Sequence, residues 1–210
     1  TGIRNLGTVD GEEVMFSAGD AFATAIQQSG KVTARKSAKI HSDGGRVEVS
    51  GPVTARNAAG QGGRIEVGGT DMGASSAPAS SSTSIFESAV LDASSDSGKG
   101  GRVVVWSDGH TDFHGQIDAS SNAGAGGYIE TSGKTIDFDN FLTQLKLGSG
   151  GHFLLDPTDI TIDATLASTI ESMLDGGMDF SVNTTSGGAD AGDITVEANI
   201  QVPTNNLGET

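Results

Sequence analysis

The chain contains no cysteine. That absence excludes a disulfide framework, a thiolate-bound metal and a thiol nucleophile, so stability has to come from backbone ladders and packing. Aromatic residues are scarce, at 5% of 210 residues with a single tryptophan and a single tyrosine, and hydrophobic residues reach only 35%. A wide globular core needs more bulk than this, whereas a thin core running along a stack of repeats needs little per layer. No run approaches the roughly 18 apolar residues of a membrane-spanning helix, which argues against membrane insertion. Basic residues are also few, since 12 Lys and Arg against 27 Asp and Glu give a formal charge of −15. Nucleic-acid binders set a basic stripe along the phosphates, and this balance excludes that partner. The imbalance is uneven: residues 1–64 hold eight of the bases and six of the acids, which leaves the remainder strongly acidic. Acidity of that kind keeps an extended surface soluble. Thr1 opens neither with an initiator Met nor with a signal peptide, and residues 1–210 read as one domain excised from a larger chain.

What is abundant is glycine, with 32 residues against an ordinary share of about 7%. Much of it lies in a recurring phrase of two glycines, one variable residue and a short alternating apolar run. The phrase reads Gly44-Gly45-Arg46-Val47-Glu48-Val49, Gly62-Gly63-Arg64-Ile65-Glu66-Val67, Gly100-Gly101-Arg102-Val103-Val104-Val105, Gly126-Gly127-Tyr128-Ile129-Glu130-Thr131 and Gly150-Gly151-His152-Phe153-Leu154-Leu155, with a weaker echo at Gly192-Asp193-Ile194-Thr195-Val196. Steps of 18, 38, 26 and 24 residues separate the second glycines of the five phrases. A unit of that length marks stacked repeat architectures.

Each phrase has the period of two that belongs to a strand with one buried face. A second short apolar phrase follows most of them, at Val53-Thr54-Ala55, Phe113 to Ala119, Ile136-Asp137-Phe138 and Ile160-Thr161-Ile162. Strands this short cannot stand alone, but strands stacked about 4.8 Å apart pair all their backbone groups. The expected fold is therefore all-β, a parallel β-helix. Val47, Ile65, Val103, Ile129 and Phe153 are expected to file in one inward column, and Val49, Val67, Val105 and Leu155 in a second, broken by Thr131. Glycine at the corners is explained by a left-handed backbone and by close approach of neighbouring layers. Val14 to Asp20 and Lys31 to Ala34 read as strands, and Ala21 to Gln28 as strand rather than helix. Two segments depart from the rhythm. Thr70 to Ser84, low in bulky residues and rich in small polar ones, reads as a protruding flexible loop, with a glycan acceptor tract as the alternative. Leu166, Ile170, Met173 and Leu174 fall at helical spacing between a capping Asp163 and a closing Gly176, which predicts a short helix near residues 164–175.

The phrases Gly100-Gly101-Arg102-Val103-Val104-Val105-Trp106-Ser107-Asp108-Gly109, Phe113-His114-Gly115-Gln116-Ile117, Gly126-Gly127-Tyr128-Ile129-Glu130-Thr131-Ser132-Gly133 and Leu154-Leu155-Asp156-Pro157-Thr158-Asp159-Ile160-Thr161-Ile162 resemble the shaft of secreted exoproteins of bacterial two-partner systems, the filamentous haemagglutinin and high-molecular-weight adhesin type. The resemblance covers residues 40–200. It implies a right-handed parallel β-helix, secreted and displayed at the cell surface of a Gram-negative bacterium. There such proteins serve in adhesion, biofilm or contact-dependent competition. It further implies an outer-membrane transporter partner that recognises a secretion domain not found in these 210 residues, and a host-cell or glycan receptor. It transfers no binding residue.

Several residue clusters invite chemistry. His110 and His114, four apart with Asp108 and Asp112, have the spacing that brings two imidazoles to one metal on a helix. On an extended chain the same spacing separates them by about 13 Å, and a polar corner is the simpler account. Paired acids occur at Asp10 with Glu12 and Glu13, at Asp137 with Asp139 and at Asp156 with Asp159. Carbohydrate cleavage would need two such carboxylates on one face, and only Lys134 and Lys146 lie near Asp137 to serve as a base, so these acids read as a solvated outer surface. Gly187 to Asp193 is an incomplete calcium nonapeptide. Trp106 reads as packing rather than as a sugar-stacking platform. The resulting expectation is a structural and adhesive segment, not an enzyme, with no catalytic, cofactor or metal residue assigned. A polysaccharide-cleaving enzyme and a calcium-stabilised repeat module are the alternatives.

Overall fold

A computed structural model describes residues 2–19, 23–70, 79–138, 141–184 and 192–202. The period-two phrases form strands in repeating groups along the chain. β1 (Ile3–Asn5) leads into β2 (Thr8–Ala18), and β3 (Thr24–Gln28) into β4 (Lys31–Ser42). There follow β5 (Arg46–Val49), β6 (Val53–Ala55) and β7 (Arg64–Val67), then β8 (Ser82–Ile85), β9 (Val90–Asp92) and β10 (Arg102–Val105). The next group is β11 (His110–Phe113), β12 (Gln116–Asp118) and β13 (Tyr128–Ser132), and after it β14 (Thr135–Phe138), a single helical turn α1 (Phe141–Gln144), β15 (Leu145–Lys146) and β16 (His152–Asp156). β17 (Ile160–Ile162), α2 (Ala164–Asp175), β18 (Asp179–Val182) and β19 (Ile194–Val196) complete the order.

Every strand-to-strand pairing among the described residues is parallel. β1, β3, β5, β8, β11 and β14 form a six-stranded sheet in that order. An eleven-stranded sheet has two arms, one of β6, β9, β12 and β15 and the other of β7, β10, β13, β16 and β18. The arms join at β4, whose residues 32–34 pair with β6 and 37–40 with β7, while β2 runs beside β4. Group after group, the chain visits the six-stranded sheet, then one arm, then the other. β17 and β19 pair separately.

Inward side chains of both sheets meet in one cluster that includes Ile26, Val47, Ile65, Leu91, Phe113, Ile129 and Phe153. Burying one such side chain contributes about 1.5–3 kcal/mol, so a narrow interior filled by every layer replaces the wide core that the composition cannot supply. Ile65, Val103, Ile129 and Phe153 stand in register as one row, and Val67, Val105, Thr131 and Leu155 as the next. Val47 and Val49 do not belong to these rows. They lie in the six-stranded sheet, where Val47 pairs with Ile26 and Thr83. The 18-residue step between the first two phrases is too short for a return to the same sheet, since register partners on neighbouring strands are at least 21 residues apart, as Ile26 and Val47 are.

The second glycines of the phrases are not left-handed: positive φ occurs at Gly44 and Gly150 but not at Gly45, Gly63, Gly101, Gly127 or Gly151. Close approach accounts for Gly63, Gly101, Gly127 and Gly151. A Cβ on Gly101 would lie 2.6 Å from the Ala93 carbonyl oxygen and would collide with the carbonyl of Gly63, and one on Gly127 would collide with the carbonyl of Gly101. α2 forms where the spacing predicts it. The Asp163 carboxylate accepts from the Leu166 N–H at 2.8 Å, Gly176 caps the end, and Leu166, Ile170 and Met173 are buried in the common cluster. Of the stretch Thr70 to Ser84, residues 71–78 lie outside the described residues. Its end is not loop: Ser82 to Ser84 belong to β8, where the buried Thr83 hydroxyl donates to the Trp106 carbonyl at 2.7 Å.

Candidate functional site

The outer face of the longer arm carries side chains that strand parity turns away from the core. Arg64, Arg102, Tyr128 and His152, the variable residues of four glycine phrases, are in register. All four are planar groups, and one strand spacing suits stacking. The Arg102 guanidinium lies 3.5 Å from the Tyr128 ring centroid, and the Tyr128 and His152 rings stack at 5.5 Å with an interplanar angle of 16°.

The next outward row is Lys39, Glu66, Val104, Glu130 and Leu154. Glu66 is 1% exposed and Glu130 fully buried, although strand parity turns both away from the core. Buried carboxylates need partners, and each has them. Glu66 accepts from Arg64 Nε at 2.6 Å, with Lys39 Nζ at 3.2 Å and His41 Nε2 at 3.5 Å. Glu130 accepts from Tyr128 Oη at 3.0 Å and Ser132 Oγ at 3.1 Å, with Arg102 at 3.7 Å. Val104 stands between the two acids and keeps them two strand spacings apart, about 10 Å. Burial holds the His41 imidazole below its ordinary pKa, with Lys39 and Arg64 adding to the effect and Glu66 opposing it. Burial, reinforced by Glu130, raises the Tyr128 phenol above its ordinary value. Trp106 is 4% exposed, lies against Gly69 and reaches Asp108 through Nε1 at 3.4 Å. It serves as packing.

The clusters singled out by spacing are dispersed. His110 Nδ1 bonds the Thr135 hydroxyl at 2.8 Å and its Nε2 lies 3.7 Å from Asp137, whereas His114 Nε2 meets Asp112 at 2.7 Å. Each imidazole thus belongs to a different carboxylate. Among the described residues, no group of three or more His, Asp or Glu is placed to hold a metal ion. Asp137 is exposed and Asp139 lies outside the described residues. Asp10 pairs with Arg35 at 2.6 Å and Glu12 with Lys36 at 3.2 Å on an exposed face. Asp156 is fully buried rather than solvated, because parity turns it to the same covered face as Trp106 and Ser132. Asp159 accepts from the Asp193 N–H at 2.8 Å, and residues 187–191 of the nonapeptide-like stretch lie outside the described residues. Lys134 and Lys146 are exposed. No helix among the described residues is long and apolar enough to cross a membrane.

The corners joining the six-stranded sheet to the shorter arm form an open cleft of about 460 Å³, lined by Phe86, Glu87, His114, Gly115, Gln116, Thr143 and Gln144. No sequence motif marked it. The one available signal was Phe86, a large apolar residue just past a strand end, and its ring is 44% exposed.

No protein-family model and no curated protein matches this chain.

Proposed function

We propose that the chain is a segment of a secreted bacterial surface exoprotein of the filamentous haemagglutinin and high-molecular-weight adhesin type, a right-handed parallel β-helix acting as a stiff adhesive shaft. The observation that carries this reading is the recurrence of register. Strands of successive groups pair in parallel along the same lines, and their inward side chains share one narrow cluster. Closing those lines around the cluster yields a rod whose length grows with each group and whose outward loops are free to vary. The mechanism is mechanical rather than catalytic: a rigid rod carries its loops away from the Gram-negative cell surface and presents them to a host-cell or glycan receptor. Export runs through an outer-membrane transporter partner acting on parts of the exoprotein beyond these residues. The paired planar ladder and the buried, partnered carboxylates suit such a role, because they hold the outer face rigid without a disulfide. Beads coated with this protein are expected to attach to host cells above beads coated with an inert acidic protein. Attachment at the background level removes the adhesive part of the proposal.

A further inference from the structure

Beyond the shaft role, and resting on the adhesive reading, we propose that the cleft at Phe86 is a binding subsite for a short neutral saccharide. Three successive corners contribute to it: Phe86 and Glu87 after β8, His114 and Gly115 between β11 and β12, and Thr143 and Gln144 in α1. Successive corners lie one strand spacing apart, so the cleft extends over about 10 Å.

Its chemistry is that of sugar recognition. The exposed Phe86 ring offers a flat apolar face for the C–H groups of a pyranose. Beside it the cleft is lined by the Glu87 carboxylate, the Gln116 amide, the Thr143 hydroxyl and the His114 imidazole, groups of the kind that recognise sugar hydroxyls, while the Gln144 amide is held on the Phe113 carbonyl at 3.3 Å. The frame is preorganised. The Phe86 N–H donates to the Val49 carbonyl at 2.9 Å, the His114 N–H to that of Ile85 at 2.8 Å and the Gln116 N–H to that of Ala89 at 2.9 Å. Asp112 orients His114 at 2.7 Å. A side chain on Gly115 would press on the buried Ile85 at 2.6 Å, so this corner is packed closely on the layer beside it.

Other occupants fit less well. An extended peptide gains affinity by pairing with a free strand edge, but β8, β9, β11 and β12 each have a neighbour on both sides. A polyanion is repelled by a chain of charge −15 and would meet Glu87 inside the cleft.

The test uses saturation-transfer NMR on the intact protein with the methyl glycosides of glucose, galactose and mannose and with N-acetylglucosamine. At least one is expected to bind, with a dissociation constant on the order of millimolar for a single ring. Phe86→Ala is expected to weaken that binding about tenfold with an unchanged melting temperature, and Phe86→Tyr to retain it. Met15→Ala, exposed on β2, serves as a remote control and is expected to change nothing. Absence of saturation transfer from all four sugars, or transfer that survives Phe86→Ala, overturns the site. Bead attachment separates the two proposals. Cells that adhere equally to wild type and Phe86→Ala leave the adhesive reading standing and remove the saccharide site from it. Sugar binding without cell attachment keeps the site and removes the adhesive reading.

Discussion

Thr131 sits in an aliphatic row between Val105 and Leu155, fully buried, and its hydroxyl meets no hydrogen-bond partner. An unsatisfied buried hydroxyl costs about 1–3 kcal/mol, and valine has nearly the same shape. Thr131→Val is therefore expected to raise unfolding free energy by roughly 1 kcal/mol in urea titration; a loss of stability would show that the hydroxyl is satisfied. His41 makes the opposite demand. Its folded-state pKa lies below the ordinary 6.5, so the unfolded chain takes up a proton that the folded chain refuses. Stability should then fall as pH drops below about 6.5, and His41→Gln should remove that part of the slope. Equal slopes in both proteins would place the titration elsewhere. Tyr128 is the single tyrosine, which makes phenolate absorbance a probe of one residue. Its midpoint is expected above the usual 10, and Glu130→Gln should bring it down by removing a neighbouring negative charge. A normal midpoint in the wild type would contradict the burial of this phenol beside Glu130.

At the scale of elements, the paired glycines are seats for the neighbouring backbone. Gly101→Ala is expected to cost about 1–3 kcal/mol, as overpacking does, although its φ is ordinary. Gly7→Ala, where a Cβ meets nothing within 4 Å, should be neutral or slightly stabilising. If the two variants melt alike, close approach is not what selects these glycines. The strands were legible because a period of two is a local property, and α2 because Asp163, the apolar spacing and Gly176 are all local as well. Row membership was legible for Ile65, Val103, Ile129 and Phe153 and for Val67, Val105, Thr131 and Leu155, but not for Val47 and Val49. Val47 looks like Ile65 in wording, and only the length of chain between them assigns them to different sheets. The burial of Glu66, Glu130 and Asp156 was hidden for a related reason: parity gives the direction of a side chain but not what lies over it. The variable residue of the glycine phrase did carry a signal, since Arg46, Arg64, Arg102, Tyr128 and His152 are all planar. The Phe86 cleft is assembled by three corners from distant parts of the sequence, and no local pattern announces such a site.

For the whole molecule, the account requires successive groups of strands to lie over one another in the stated register, in the six-stranded sheet and in the shorter arm at once. The lack of native cysteine makes this directly measurable by engineered cross-links. Neighbouring parallel strands bring opposed Cα atoms to about 5 Å, within the span a disulfide bridges. Ser84 and Asp112 are register partners between β8 and β11, and Thr54 and Asp92 between β6 and β9. The decisive measurement is peptide mapping after mild oxidation of the double variants Ser84→Cys with Asp112→Cys and Thr54→Cys with Asp92→Cys, beside an off-register control, Ser84→Cys with His114→Cys. Efficient intramolecular disulfides in both register pairs, with little in the control, are the predicted result; preferential linkage in the control, or none in either register pair, would contradict the stacking on which everything else rests.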